Sequence, residues 1–162
     1  MGVRSFLKGK AGLATALVLT GCASTGAPSA GSSSAAPAAP QDPPAVHWAR
    51  TAAEHGAIFE QTYRWAAESV TTAAQGRTPG TWAVILDADE TVLDNSRYQS
   101  RRARLGLGYT PESWTEWVRE QAAPALPGAV AFVDHVLELG GRVAIVTNRT
   151  EEECEPTRQN LR

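Results

Sequence analysis

The sequence predicts an α/β domain built on a parallel sheet, and three observations predict it. The run "WAVIL" from Trp82 to Leu86 reads as a short buried apolar strand, "PGAVAFVDHVLELGG" as an amphipathic helix, and "RVAIVTNR" as a second apolar strand. Strand, crossover helix and strand make a βαβ unit, so the two strands should lie parallel with a right-handed crossover. Both strands run into polar clusters, "DADET" and "TNR". Open α/β sheets bind ligands beyond the carboxyl ends of their strands, so the two clusters are expected to meet.

The elements before the first strand differ sharply in composition. Arg4, Lys8 and Lys10 precede the apolar run "AGLATALVLTG", which is shorter than the ~20 residues a membrane-spanning helix needs and has the form of a secretory signal peptide. It ends in "LTGC", Leu19 to Cys22. That ending resembles the bacterial lipobox, which implies a signal peptide over residues 1–21 and lipid on Cys22; a chance cysteine behind an ordinary signal peptide is the alternative. Ala23 to Pro40 carries no charge and no large apolar side chain. Such a segment cannot bury enough surface to offset its ordering entropy, and it reads as a tether with a reach of roughly 25 Å. Lipidated cysteine and linker together take residues 22–44, and the folded domain residues 45–162.

Within that domain, Ala49, Ala52, Ala53, Gly56, Phe59, Tyr63, Ala66, Ala67, Val70 and Ala74 recur at helical spacing, with prolines ahead and Gly76 behind. One long helix is expected, with any break near Gly56. Trp48, His55 and Trp65 read as packing or surface residues, since no second histidine stands at metal spacing. After Asn95 the pattern dissolves into "SRYQSRRARLGLGYT", whose "RRAR" reads as a solvated face. A helix is expected to begin at "PESWTEWVREQ", with Pro111 in its first turn. The crossover helix places Ala129, Phe132, Val133, Val136 and Leu137 on one stripe, opened by Pro127 and closed by Gly140 or Gly141.

Charge and cysteine count narrow the function. The net charge is −2, the 162 residues are 43% hydrophobic, and no basic stripe offers a surface for nucleic acid. With only Cys22 and Cys154 there is no disulfide framework, and Cys154 is expected to be a buried or inert thiol.

The strand ends carry the chemistry. Alternation along a strand turns Asp87 and Asp89 to one side and Ala88 to the other. Two carboxylates that close repel unless a cation lies between them or one holds a proton. The oxygen-rich pair suits Mg²⁺. Thr147 offers a hydroxyl, Asn148 an amide, and the backbone N–H groups that follow can face an oxyanion. Mg²⁺ beside such a nest implies a phosphate between them, hence phosphoryl transfer. Acids that merely face solvent at a turn are the plain alternative. An EF-hand fails on Val92 and Tyr98 at its sixth and twelfth positions, and neither G-x-G-x-x-G nor a Walker A sequence occurs.

"ILDADETVLDNSRY" resembles the first motif of the haloacid dehalogenase (HAD) superfamily, in the extended form D-x-D-E-T-x-L-x-N-x-x-Y of class C acid phosphatases of the lipoprotein e(P4) type. "VTNR" resembles the second motif, and "SWTEWV", "LPGAVAFVDHV" and "TRQNLR" resemble their counterparts in order. The resemblance covers about Val46 to Arg162. It implies a HAD-like Rossmannoid three-layer α/β fold, with a parallel sheet and a small helical cap, and an acid phosphatase acting on phosphomonoesters such as 5′-nucleotides. By position, Asp87 would be the nucleophile and Asp89 the general acid and base. Mg²⁺ would sit on the Asp87 carboxylate and the Asp89 backbone carbonyl. Thr147 and Asn148 would bind phosphate, and Trp114 would pack on the substrate's base or serve the cap alone. The lipobox, with Ala23 after the cysteine, implies a lipid anchor in the bacterial envelope, at the outer membrane.

Two further motifs of the superfamily, a lysine and one or two acids, have no match, and no lysine follows Lys10. The expectation is a C-terminally incomplete fold with impaired or no activity of its own. The alternative is a catalytically inactive, lipid-anchored binding or structural lipoprotein.

Overall fold

The computed structural model describes residues 41–162; the signal peptide, Cys22 and the Ala23–Pro40 tether lie outside the described residues. The βαβ unit is present. Strand β1 (Ala83–Leu86) pairs in parallel with β2 (Arg142–Ile145), in the register Ala83 to Arg142 through Leu86 to Ile145. Around them stand α1 (Pro44–Thr51), α2 (Ala53–Ala74), α3 (Ser96–Arg104), α4 (Pro111–Glu120), α5 (Ala129–Glu138) and α6 (Cys154–Asn160), the last entered through a 3-10 turn at Glu151–Glu153.

The strands are half-buried, where full burial was expected. Val84, Leu86, Val143 and Ile145 face the core, while Ile85 and Val146 on the opposite face are 69% and 61% exposed. An apolar run alone does not say whether one or both faces of a strand are covered. Here α5 covers one, and no described helix covers the other.

Two helices depart from expectation. The first helical stretch breaks at Ala52, which is extended (φ −78°, ψ 127°), and Gly56 stays helical inside α2. Tertiary contacts decide this: α1 packs on α3 whereas α2 packs on α5, so the chain must turn between them. The α1 side is fixed by Asp42, whose carboxylate accepts from Ser100 Oγ at 2.6 Å and Arg104 Nε at 3.0 Å and lies 3.4 Å from Arg50. The Arg104 hydrogen bond, ahead of that from Ser100, holds its carboxyl below the usual aspartate range. Downstream, "SRYQSRRAR" is α3 itself. Its buried side is Ser96, Tyr98 and Ser100, polar residues of which Tyr98 and Ser100 place their hydroxyls on Ser113 and Asp42, so no apolar period betrays it. The arginines are not simply solvated either. Arg101 pairs with Glu120 and lies over the Trp117 ring, and Arg102 donates twice to Gly108 O.

Helices α4 and α5 form where expected. Thr110 and Ser113 close a capping box around Pro111 at the start of α4. In α5, Ala129, Phe132 and Val136 are buried, but Leu137 is 52% exposed, because the covered stripe is narrow and the last turn runs past it. The helix ends in a Schellman motif: Gly141 N–H donates to Val136 O and Gly140 N–H to Leu137 O, both at 2.9 Å, with Gly140 at φ +79°. A Cβ on Gly140 would also stand 2.8 Å from Pro79 Cβ. Gly140→Ala is therefore expected to destabilise the fold by about 2 kcal/mol or more in urea denaturation; an unchanged midpoint would refute this role.

The core gathers Val92, Leu93, Tyr98, Trp117, Val118, Phe132 and Val136, with Tyr63 arriving from α2. It lies directly beneath the loop that follows β1. Cys154, expected to be buried or inert, is exposed at the head of α6.

Candidate active site

The loop after β1 is tightly tied. Val92 and Leu93 both donate to Ala88 O, Glu90 donates to Leu93 O, and Leu126 donates to Val92 O, all at 2.8–3.0 Å. Glu90 takes a left-handed conformation at φ 54°, a geometry that costs a non-glycine residue about 1 kcal/mol and persists because its surroundings hold it. Tyr63 Oη donates to Thr91 O at 2.5 Å, so α2 braces the loop from below. Burial pushes the Tyr63 phenol above its ordinary range, which keeps it a donor.

Ala88 is fully buried between two more open aspartates, as strand alternation requires. Asp87 is exposed, and its Oδ1 accepts the Ala88 N–H at 2.8 Å. Asp89 turns inward onto Arg149: Nε lies 3.0 Å from Oδ2 and 3.2 Å from Oδ1, and a terminal nitrogen 2.5 Å from Oδ1. Its side chain is 16% exposed and that of Arg149 only 2%. A guanidinium therefore faces one aspartate and solvent the other, which separates the two like charges. Glu90, the third acid, accepts the Asn95 N–H. Desolvation lifts its carboxyl above the usual glutamate range despite that bond.

The two polar clusters do meet. Arg149 links them, its second terminal nitrogen donating to Thr157 Oγ1 at 2.9 Å and its guanidinium lying 5.4 Å from the Trp114 ring centre. Thr147 Oγ1 accepts the Arg149 N–H at 3.2 Å. A cavity of about 490 Å³ is lined by Asp89, Asn148, Arg149, Trp114, Tyr98 and Tyr109, among others. Thr147 opens with Arg149 onto a neighbouring cavity of about 780 Å³, and Asp87 lines neither. The expected residues thus divide: Asp89, Asn148 and Trp114 share one cavity, while Asp87 and Thr147 stand at the strand ends beside it.

Three residues of this constellation carried no role in the sequence reading. Arg149 was visible only as the end of "TNR". Asn95, fully buried, donates to Asp89 Oδ1 at 2.8 Å. Glu153, 1% exposed, accepts from Thr115 Oγ1 at 2.7 Å and Thr150 N at 3.0 Å, tying α4 to the segment after Arg149. Thr150 and Glu153 do carry a sequence signal, the spacing of a capping box.

The donor set suits a hard cation in part. Among the described residues no group of three or more His, Cys, Asp or Glu side chains is placed to hold a metal. One exposed carboxylate with a neighbouring carbonyl nonetheless fits Mg²⁺, which takes one or two carboxylates and keeps several waters.

A family model described as HAD superfamily, subfamily IIIB (acid phosphatase) matches residues 14–162. The chain belongs to this acid phosphatase family. Members are phosphomonoester hydrolases, and phosphatases of the superfamily typically use a divalent metal. Two crystal structures of the class C acid phosphatase from Bacillus anthracis, one with tungstate bound, are similar to this member of subfamily IIIB, each with a TM-score of 0.67. They are 35% and 34% identical to it, and the match covers 72% of this chain and 49% of theirs. Acid phosphatase 1 of Solanum lycopersicum is 37% identical over 78 residues, 48% of this chain and 30% of the tomato protein. This chain therefore spans about half the length of its solved relatives and less of the plant one.

Proposed function

We propose that the whole protein hydrolyses phosphomonoesters, nucleoside 5′-monophosphates among them, through a phosphoryl group carried on Asp87. The observation that carries this is the meeting of "DADET" and "TNR" at the ends of two parallel strands, tied by Arg149 to Asp89. The tungstate in the B. anthracis relative, an anion similar to phosphate in shape, supports an oxyanion as ligand.

Asp87, exposed at the end of β1, has one carboxylate oxygen accepting the Ala88 N–H and the other available to attack phosphorus. Attack forms the aspartyl phosphate and breaks the bond to the leaving oxygen, which takes a proton from Asp89. Water, deprotonated by Asp89, then cleaves the acyl phosphate. Without substrate, both Asp89 oxygens accept from Arg149. A phosphate ester arriving near Asn148 and Arg149 offers the guanidinium a competing anion and releases one oxygen for the proton. Thr147 and Asn148 hold the transferring group through hydroxyl and amide. Mg²⁺, bound by the Asp87 carboxylate and the Asp89 carbonyl, would offset the charge gathered on that group. Cys22, outside the described residues, would carry the lipid that anchors the enzyme in the bacterial envelope, at the outer membrane.

Trp114 supports the nucleotide in this reading, because it lines the Asp89 cavity and a base can stack on its ring. In the whole protein, Trp114→Ala is expected to raise KM for nucleoside monophosphates about tenfold, the worth of one base–aromatic stack, and to leave KM for glycerol phosphate unchanged. Equal shifts for both substrates would reduce Trp114 to cap packing. No turnover of either ester by the wild-type protein would overturn the function.

A further inference from the structure

We infer that Asn95 is the positioning residue for Asp89, and that Trp117 of α4 sets its orientation. The inference rests on the phosphatase reading only for what Asp89 does, not for how it is held.

Asn95 is fully buried and both ends of its amide are engaged. Trp117 Nε1 donates to its Oδ1 at 2.8 Å, and its Nδ2 donates to Asp89 Oδ1 at 2.8 Å. An indole nitrogen can only donate, so the amide oxygen must face Trp117 and the NH₂ group must face the carboxylate. Trp117 is itself fixed: it is 2% exposed, Arg101 lies over its ring, and Tyr98 packs beside it with ring centres 6.2 Å apart.

The result is an asymmetric Asp89. Its Oδ1 receives Asn95 and two nitrogens of Arg149, whereas Oδ2 receives only Arg149 Nε. Oδ2 is the oxygen left for a further partner, and the plane of the carboxylate is set from the Asn95 side. Trp114 and Trp117 stand three residues apart, neighbours on one helix surface. One lines the cavity and the other holds Asn95. The helix that shapes the leaving-group pocket therefore also aims the carboxylate that serves the leaving group.

Two substitutions separate positioning from packing. Asn95→Asp keeps the shape but has no N–H to give. Trp117→Phe keeps the aromatic core but frees the amide to turn. In the whole protein with Mg²⁺, Asn95→Asp is expected to lower kcat for glycerol phosphate about 30-fold or more, with KM within about threefold, since misaimed catalytic groups act in the transition state. The loss should be several-fold smaller for p-nitrophenyl phosphate, whose leaving group departs with little need of a proton. Trp117→Phe should show the same pattern at smaller size. A third readout is free of turnover: the indole N–H resonance of Trp117 should move in Asn95→Asp and also in Asp89→Asn, where the relay is altered at its far end.

Unchanged kcat in both variants, equal losses for the two esters, or a Trp117 resonance indifferent to both Asn95→Asp and Asp89→Asn would each overturn the inference. A wild-type protein without turnover would overturn the phosphatase reading instead, and the indole resonance would then decide the relay alone.

Discussion

Asp87→Asn in the whole protein is expected to lower phosphomonoester turnover by about four orders of magnitude while leaving stability unchanged. The chemistry and the setting of Asp87 both require this. A carboxamide oxygen is a poor nucleophile and cannot form the acyl phosphate, so the first bond is not made. The side chain is exposed, and its one hydrogen bond among the described residues is from the neighbouring Ala88 N–H, which an amide oxygen can also accept. Among the described residues no ion pair to Asp87 would be lost with its charge. Rates and denaturation midpoints measured on the same preparations test both halves. Retained turnover would remove Asp87 from the mechanism, and a large stability loss would contradict its place at the strand end.

Asp89→Ala should behave differently, losing both activity and about 3 kcal/mol of stability. Its partner explains the contrast. The Arg149 side chain is 2% exposed, and its bonds to Asp89 are the charged ones; Thr157 Oγ1 and the Trp114 face remain. Removing the carboxylate strands a guanidinium out of water, which is the expensive way to break a buried pair. The Asn95 amide N–H loses its acceptor as well, while the Trp117 indole keeps its bond to Asn95 Oδ1. Turnover should fall about 10²- to 10⁴-fold from loss of acid and base catalysis. Urea denaturation of Asp89→Ala beside Asp87→Asn measures the difference directly. Equal midpoints would show that the Arg149 pair contributes nothing to the fold.

The parts of this molecule legible in the sequence are those governed by apolar period or by short-range rules. Strands β1 and β2 follow from aliphatic runs, α5 from a stripe at helical spacing, and α4 from Pro111 and its cap. The meeting of "DADET" and "TNR" followed from topology alone. Helix α3 was hidden because its inward side is made of hydroxyl side chains, two of which bond Asp42 and Ser113, residues distant in sequence. The break at Ala52 was placed wrongly because local propensity points to glycine, whereas the turn is set by which helix each half packs against.

In the site, the acids were legible and their management was not. Arg149 stands 60 residues from Asp89, and no local pattern says which of many arginines will reach a given carboxylate. Asn95 is similar: its position in the motif was visible, but its role depends on an indole 22 residues away. Sequence spacing picks out candidate reactive groups more readily than the buried groups that hold them.

The central claim is that a phosphoryl group passes through Asp87. The most direct test is to mix the whole protein and Mg²⁺ with a phosphomonoester, quench within the first turnover, reduce any acyl phosphate with borohydride and sequence the peptides by mass spectrometry. Asp87, and no other acid, is expected to be converted to homoserine, and the conversion is expected to be absent in Asp87→Asn. Turnover without a modified Asp87, or the modification on Asp89 or Glu90, would contradict it.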